Sequence, residues 1–374
     1  MPRFLHTADW QIGRQYDRFG PEDGPALAQA RLGTVERIAA LATELAVDAV
    51  LVAGDVFDAQ TISDRTLRRL FLATQGYAGP WIMLPGNHDA ALAESIWSRA
   101  QRLNAVPGNV HLALTPEVMP FAELGFAILP APLTQRQSFD DLSAWFDHAQ
   151  TPPGLLRIGL AHGSVQGILA EDIDSPNPID PQRAERARLD YLALGDWHGC
   201  RRIDDRTWYS GTPEQDRFKS NGAGQVLDVR LEAPGDAPQV TPIAIGEFTW
   251  LQWQRRLQVA SDLDALIEEL DQVERSSVIS LTLEGELDLA GEQRLQLALG
   301  RAEAQHRVLE CDLDGLRLLP TEADIAALQA DGYLDEVIGQ LRDMQQADEP
   351  ELAREALGIL AGLLRERQAG GTTA

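Results

Sequence analysis

Two hydrophobic rhythms alternate along the first two thirds of the chain. Short apolar runs at 4–8, 49–53, 81–84, 126–129, 156–160 and 191–194 read as buried strands. Between them, 29–46, 65–75 and 94–103 carry the three-to-four-residue spacing of amphipathic helices, and 182–188 a short helical turn. Strands that alternate with helices predict a layered α/β architecture, with functional groups in the loops at strand ends. After residue 246 the order becomes strand 250–260, helix 263–273, strand 278–283, helix 292–305 and strand 306–311, a small β-α-β-α-β module. From Thr321 the pattern is helical: Thr321 and Asp324 have the spacing of an N-terminal cap, and Leu352, Ala356, Ile359, Leu360, Leu363 and Leu364 fall on one apolar face. The expected division is therefore 1–245, 246–319 and 320–374. The proline-rich stretch 172–181 reads as a surface loop at the rim of a site, and the Gly/Thr-rich end 369–374 as frayed.

Composition narrows the class. The chain has 374 residues, 44% of them hydrophobic, enough for an α/β core plus smaller modules. It contains no run of eighteen apolar residues, and residues 1–9 lead into a strand without an apolar leader, so a cytoplasmic protein is expected. Cys200 and Cys311 have neither metal-ligand nor disulfide spacing. The formal charge of −25, from 57 acidic against 32 basic residues, argues against holding nucleic acid on a broad basic surface. It leaves phosphate chemistry open, because bound cations invert the local field.

The candidate chemistry lies in five short segments at or beside the predicted strand ends. They are His6-Thr-Ala-Asp9-Trp-Gln11, Gly54-Asp55-Val-Phe-Asp58, Gly86-Asn87-His88-Asp89, Ala161-His162-Gly163 and Gly195-Asp196-Trp-His198-Gly199. A lone Gly-Asp is more often a turn, and a lone His more often a structural residue. The set is another matter. Two divalent cations about 3.5–4 Å apart need a bridging carboxylate with oxygen and imidazole ligands converging from several strands.

In that order the segments resemble the calcineurin-like metallophosphoesterases, whose pattern is D-x-H, G-D-x-x-D, G-N-H-D, an isolated His and G-H-x-H. Within that family the chain is similar to the SbcD-type DNA double-strand-break repair exonucleases, in Phe4-Leu-His-Thr-Ala-Asp-Trp-Gln-Ile-Gly13 and in Tyr209-Ser-Gly-Thr-Pro-Glu214. The likeness covers about the first 220 residues. It implies a metallophosphoesterase β-sandwich flanked by helices, with a small α/β capping module and a helical C-terminal segment. It implies that Asp9, Asp55 and His198 hold one metal with Gln11 in the place of a usual His. Asp55 would bridge to a second metal held by Asn87, His162 and Asp196. His88 would be the non-ligand catalytic histidine, protonating the leaving oxygen or stabilising charge on the phosphate during in-line attack by water. Gln11 and Asp196 depart from the family pattern, and both move the site from imidazole toward oxygen, which favours Mn²⁺, with Mg²⁺ as the alternative.

Other polar residues have plainer readings. His6 is expected to be a core or ligand-supporting histidine, Asp58 and Asp89 to organise loops, and His111, His148 and His306 to be structural or exposed. Trp10 and Trp197 could stack on a base but are more simply packing residues. Arg201, Arg202, Arg217 and Lys219 are a basic cluster that could contact a nucleic-acid backbone or form a solvated salt-bridged face. The resemblance implies DNA as substrate, an SMC-like coiled-coil ATPase of the SbcC type docking on the C-terminal helices, and a homodimer. The competing readings are a phosphodiesterase or phosphatase on nucleotides or small phosphoesters, and a weakly catalytic subunit that regulates the ATPase.

Overall fold

The computed structural model describes residues 2–168, 176–321, 324, 333–345 and 350–370, and divides into two units, 1–249 and 250–374. The first unit runs β1 (Arg3–Thr7), α1 (Asp23–Glu44), β2 (Ala49–Val52), α2 (Asp64–Ala73), β3 (Trp81–Met83), α3 (Ile96–Arg102) and β4 (Val110–Leu112). It continues through β5 (Met119–Phe121), β6 (Phe126–Ala131), β7 (Leu156–His162), β8 (Ser164–Val165), β9 (Pro178–Ile179), α4 (Arg183–Arg186) and β10 (Tyr191–Gly195). The chain then adds β11 (Arg201–Arg202), β12 (Thr207–Tyr209), β13 (Gln225–Arg230) and β14 (Gln239–Ala244).

These strands form two six-stranded sheets, ordered β14-β13-β1-β2-β3-β4 and β11-β12-β10-β7-β6-β5. Within them β1, β2, β3 and β4 are parallel, as are β6, β7, β10 and β12. Successive side chains on a strand face opposite ways. Phe4, Ala49, Leu51 and Ile82 therefore pack inward with Ile128, Ile158, Leu160 and Tyr191 of the other sheet. Leu5, Val50, Val52 and Met83 face the helical layer, meeting Val35 and Ile38 of α1 and Leu67 and Leu70 of α2. The mixed α/β sandwich is the expected fold class. The sequence reading missed β13 and β14, and β13 pairs antiparallel with β1 at Phe4↔Val229 and His6↔Leu227.

Helix starts follow ordinary capping chemistry. Ser63 accepts the Thr66 N–H at 3.1 Å before α2, and Ser95 with Ser98 forms a capping box before α3. One helix is also anchored by charge. The buried Arg183 of α4 reaches Asp141 at 2.7 Å, Asp147 at 2.6 Å and the Ser143 hydroxyl at 3.0 Å. Burial works against the Asp141 carboxylate, but the Ser143 and Arg183 hydrogen bonds outweigh it and hold its pKa below the ordinary range. A carboxyl whose pKa is lower folded than unfolded stabilises above the unfolded value of about 3.9 and loses that contribution as pH falls through the folded one. The unfolding midpoint of the wild type is expected to fall more steeply below about pH 4 than that of Asp141→Asn. Thermal melts at stepped pH check this, and parallel profiles for the two proteins would contradict it.

The second unit contains β15 (Thr249–Leu257), α5 (Ala260–Gln272), β16 (Ser277–Leu287), α6 (Leu289–Gln305), β17 (Val308–Leu318), α7 (Tyr333–Gln345) and α8 (Pro350–Gly370). β15, β16 and β17 form a sheet, over which Leu263, Leu266 and Leu270 of α5 and Leu295 and Leu299 of α6 close a separate core. Thr321 and Asp324 cap one another: each backbone N–H donates to the other's side chain, at 2.8 and 3.1 Å. On α8 the expected face carries Leu352, Ile359 and Leu363 exposed and Ala356 and Leu360 half-buried, while Ala353, Leu357 and Ala361 are buried. α8 is apolar on more than one side, and spacing alone does not choose the side that is buried. The side chain of Leu364 and residues 172–175 of the expected rim loop lie outside the described residues, and the rest of that loop carries β9. Among those residues no helix is long and apolar enough to cross a membrane.

Candidate metal centre

The C-terminal ends of β1, β2, β3, β7 and β10 point into one cleft of the first unit, and each delivers one of the five segments. The loops after β1 and β2 keep pairing beyond the strands. Asp9 N–H donates to Gly54 C=O at 3.0 Å, Gln11 N–H to Asp55 C=O at 2.8 Å, and Ile12 N–H to Val56 C=O at 2.9 Å. This places three polar residues in left-handed backbone: Asp9 at φ 55°, Gln11 at 45° and Asp55 at 52°. Asp196 is at φ 101°. Such conformations cost on the order of 1–3 kcal/mol each and persist where surroundings over-determine them. The glycines of these segments leave room for that crowding. A Cβ on Gly54 would lie 2.2 Å from His162 Nδ1, and one on Gly86 2.2 Å from Asp55 Oδ1.

Asp9, Asp55 and His162 are buried, with ligand atoms within 4.8 Å of one another. His162 Nδ1–H donates to the Ala53 carbonyl at 2.8 Å, which fixes the tautomer and turns the Nε2 lone pair into the cleft. Around that nitrogen lie the Asn87 side-chain oxygen at 3.1 Å, Asp55 Oδ1 at 3.6 Å and Asp196 Oδ1 at 3.8 Å. The same Asn87 oxygen is 3.0 and 3.1 Å from the two Asp55 oxygens. An amide oxygen facing carboxylate oxygens is repulsive by itself. Turned over, its NH₂ donates to both; with a cation among them, the oxygen faces inward. Neighbouring ligands of an octahedral cation bound at about 2.1 Å lie about 3 Å apart. The Asn87 contacts have that spacing and the His162 contacts with the carboxylates are wider, while the oxygen-rich chemistry of the set suits a hard divalent ion.

The electrostatics agree. Burial raises the pKa of Asp9 and of Asp196, and the nearby Asp55 raises both further against the pull of His162 and His198. Burial would lower His162, but Asp55, Asp9 and Asp196 lift it to about 9, a cluster short of positive charge. Asp89 accepts the Phe57 and Gly86 N–H groups at 3.0 and 2.6 Å and shapes the loop, as expected for an organising carboxylate. His88 donates its backbone N–H to Asp55 Oδ1 at 2.9 Å, and its Nδ1 meets the Asp58 carbonyl at 2.7 Å. Its Nε2 is thereby aimed into the cleft, 3.9 Å from Asp55 Oδ2.

The opposite wall, around His198, differs in charge. Gln11 turns its oxygen to Arg14 Nη1 at 2.6 Å and its amide nitrogen to His198 Nε2 at 3.3 Å. Asp216 lies behind His198 Nδ1 at 3.1 Å and also meets Arg14 at 3.2 Å, Arg31 at 3.2 Å and Arg217 at 3.0 Å. Burial alone would raise its pKa, yet His198, Arg31 and Arg217 hold it well below the carboxylate range. Sequence reading named Arg217 but missed Arg14, Arg31 and Asp216. The available signal was Arg31, a charged residue among Leu27, Ala30, Thr34, Val35 and Ile38 on the buried face of α1.

The remaining candidates scatter. Arg201 donates to the Ile168 carbonyl at 3.1 Å and lies over Trp197, whereas Arg202 turns away to pair with Asp205. Lys219 follows in an exposed turn whose backbone closes on Arg217. Trp10 is buried against Trp81, and Trp197 is half-buried. His6 is fully buried between the Tyr191 hydroxyl and the Leu194 carbonyl, and burial pulls its pKa down to about 3. His306 bridges the carbonyls of Glu274 and Leu270, and His148 is exposed.

Comparison with known proteins adds to this geometry. The family model described as calcineurin-like phosphoesterase matches residues 2–200, which includes all five segments. A curated relative, the SbcD subunit of the nuclease SbcCD of Rhodobacter capsulatus, is 42% identical over 94 residues. That match spans 24% of this chain and 22% of the relative's length. Among solved structures, TT1561 of Thermus thermophilus superposes with a TM-score of 0.43 at 13% identity, over 65% of this chain and 99% of its own. A likeness that loose carries no argument about substrate.

Proposed function

The chain belongs to the calcineurin-like phosphoesterases, hydrolases of phosphoester bonds, and on that premise we propose that it is a metal-dependent DNA nuclease. The observation that carries the reading is the convergence of Asp9, Asp55, Asn87, His162 and Asp196 on one cleft beside His88. A divalent cation bound there supplies Lewis acidity toward the phosphoryl group and lowers the pKa of water. The oxygen-rich donor set suits Mn²⁺ first and Mg²⁺ second.

The protein's own groups do the rest. Asp9, Asp55, Asn87 and Asp196 present oxygen, and His162 presents Nε2 because Ala53 holds its other nitrogen. The Asp58 carbonyl orients His88, whose Nε2 is placed to give a proton to the leaving oxygen or to stabilise charge on the phosphate. Nuclease activity and a partner subunit are supported by the partial likeness to a subunit of the nuclease SbcCD. DNA as substrate, a role in DNA repair and an SMC-like ATPase as the partner are what the family resemblance implies. The net charge of −25 counts against DNA binding by this chain alone and favours the small-phosphoester alternative, so the nuclease reading assigns the grip on DNA to the partner, since phosphate neutralisation drives non-specific affinity. The exposed Leu352, Ile359 and Leu363 on α8 are compatible with docking such a partner.

The test is Mn²⁺-dependent degradation of linear double- and single-stranded DNA by purified protein, beside bis-p-nitrophenyl phosphate and mononucleotides. Digestion of DNA that chelator abolishes is the expected result. Hydrolysis confined to the small esters would replace the nuclease reading with that of a small-molecule phosphodiesterase. Inactivity on every substrate, with the ATPase present, would leave a regulatory subunit.

A further inference from the structure

We propose that this chain holds a single divalent metal, on the Asp55–Asn87–His162–Asp196 side, and that the Arg14 guanidinium stands where the family resemblance puts the other ion. The inference rests on the metal-dependent reading above and reduces to one the two ions that the family resemblance implies.

Three observations carry it. First, Gln11 is not oriented as a ligand. Arg14 donates to its oxygen at 2.6 Å, so the amide cannot turn over without setting its NH₂ against guanidinium N–H groups. The group left facing His198 is the Gln11 NH₂, a donor, at 3.3 Å. Second, His198 Nε2 is already engaged. With the Gln11 NH₂ fixed opposite it, Nε2 accepts from Gln11, and Nδ1–H donates to Asp216 at 3.1 Å. The Nε2 lone pair is thereby taken by an amide and is not pointed at a cation.

Third, the two walls have opposite charge. Asp55 and Asp196 gather beside His162, with Asp9 between that wall and His198, whereas Arg14, Arg31 and Arg217 gather around Asp216. Like charges in so small a space disfavour each other strongly at low effective dielectric. A dication at His198 would sit against guanidinium groups, and one at His162 against carboxylates whose charged partners, among the described residues, are histidines. Arg14, whose side chain is 29% exposed, is also free to offer its outer N–H groups to a phosphate oxygen opposite the metal.

The measurement is manganese per chain, by elemental analysis after equilibrium dialysis against Mn²⁺, together with the electron paramagnetic resonance spectrum. The expected result is one ion per chain and a spectrum without exchange coupling. Two ions per chain with an exchange-coupled spectrum would overturn the proposal, and so would no bound manganese. In the double variant Gln11→His, Arg14→Ala the expected count is two, and a properly folded variant that stays at one would overturn the role given to Arg14 and Gln11. The count is taken without substrate. A single bound ion with no hydrolysis would therefore sink the nuclease reading and leave the stoichiometry standing.

Discussion

Asp55→Asn is expected to lower metal-dependent hydrolysis at least about 10³-fold and to remove most of the stabilisation that Mn²⁺ confers. The substitution is chosen because Asp55 lies at φ 52°, a conformation that asparagine tolerates, so the change is one of charge and not of shape. Asp55 faces three other groups at once: the Asn87 oxygen at 3.0 and 3.1 Å, His162 Nε2 at 3.6 Å and the His88 N–H at 2.9 Å. A ligand present at 100 times its dissociation constant stabilises the folded state by about 2.7 kcal/mol. Thermal melts with Mn²⁺ and with chelator therefore read metal binding without reference to any substrate. An Asp55→Asn protein that kept the wild-type manganese shift would show that the cation sits elsewhere.

His88→Ala is expected to separate chemistry from binding. The backbone N–H of residue 88 still reaches Asp55 after the side chain is removed, and the imidazole touches the cleft only through Nε2, 3.9 Å from Asp55 Oδ2. The turnover number should fall by about 10²–10⁴, the usual worth of a positioned general acid, while the manganese-dependent thermal shift stays as in the wild type. Loss of both together would mean that His88 is a ligand, and retention of activity would remove it from the mechanism.

Much of the cleft could be read in the sequence because its residues follow apolar strands at short fixed distances. Asp55 comes three residues after β2, Asn87 four after β3, and Asp196 directly after β10, so predicting the strand places the side chain. What could not be read is what depends on distant chain. Asp216 gains its meaning from Arg14 and Arg31, which lie about 200 residues earlier, and no local pattern announces a carboxylate with three guanidinium neighbours. Gln11 is visible as a departure from the family pattern, but the direction of its amide is set by Arg14, a side-chain contact that periodicity does not encode. β13 escaped for a related reason: its burial comes from pairing with β1 and β14, so Asp228 in its middle reads as a polar interruption until Arg3 is seen beside it. On α8, where Leu352, Ala353, Leu357, Ile359 and Ala361 are all apolar, only the packing partner selects the buried side.

The continuation of the β1–β2 ladder through Asp9, Gln11 and Ile12 has a consequence for which ions the cleft accepts. Loops that carry ligands are commonly soft and adjust their oxygens to the radius of the ion. Here the backbone beneath Asp9 and Asp55 is tied by the same kind of hydrogen bonds as the sheet, and His162 is the last residue of a central strand. A cage built this way has little give. A cation bound there would have to settle among positions that the sheet already sets for Asp9, Asp55 and His162, with little adjustment of the oxygens to its radius. Ion preference would thus be set in part by the sheet register, and not by ligand chemistry alone.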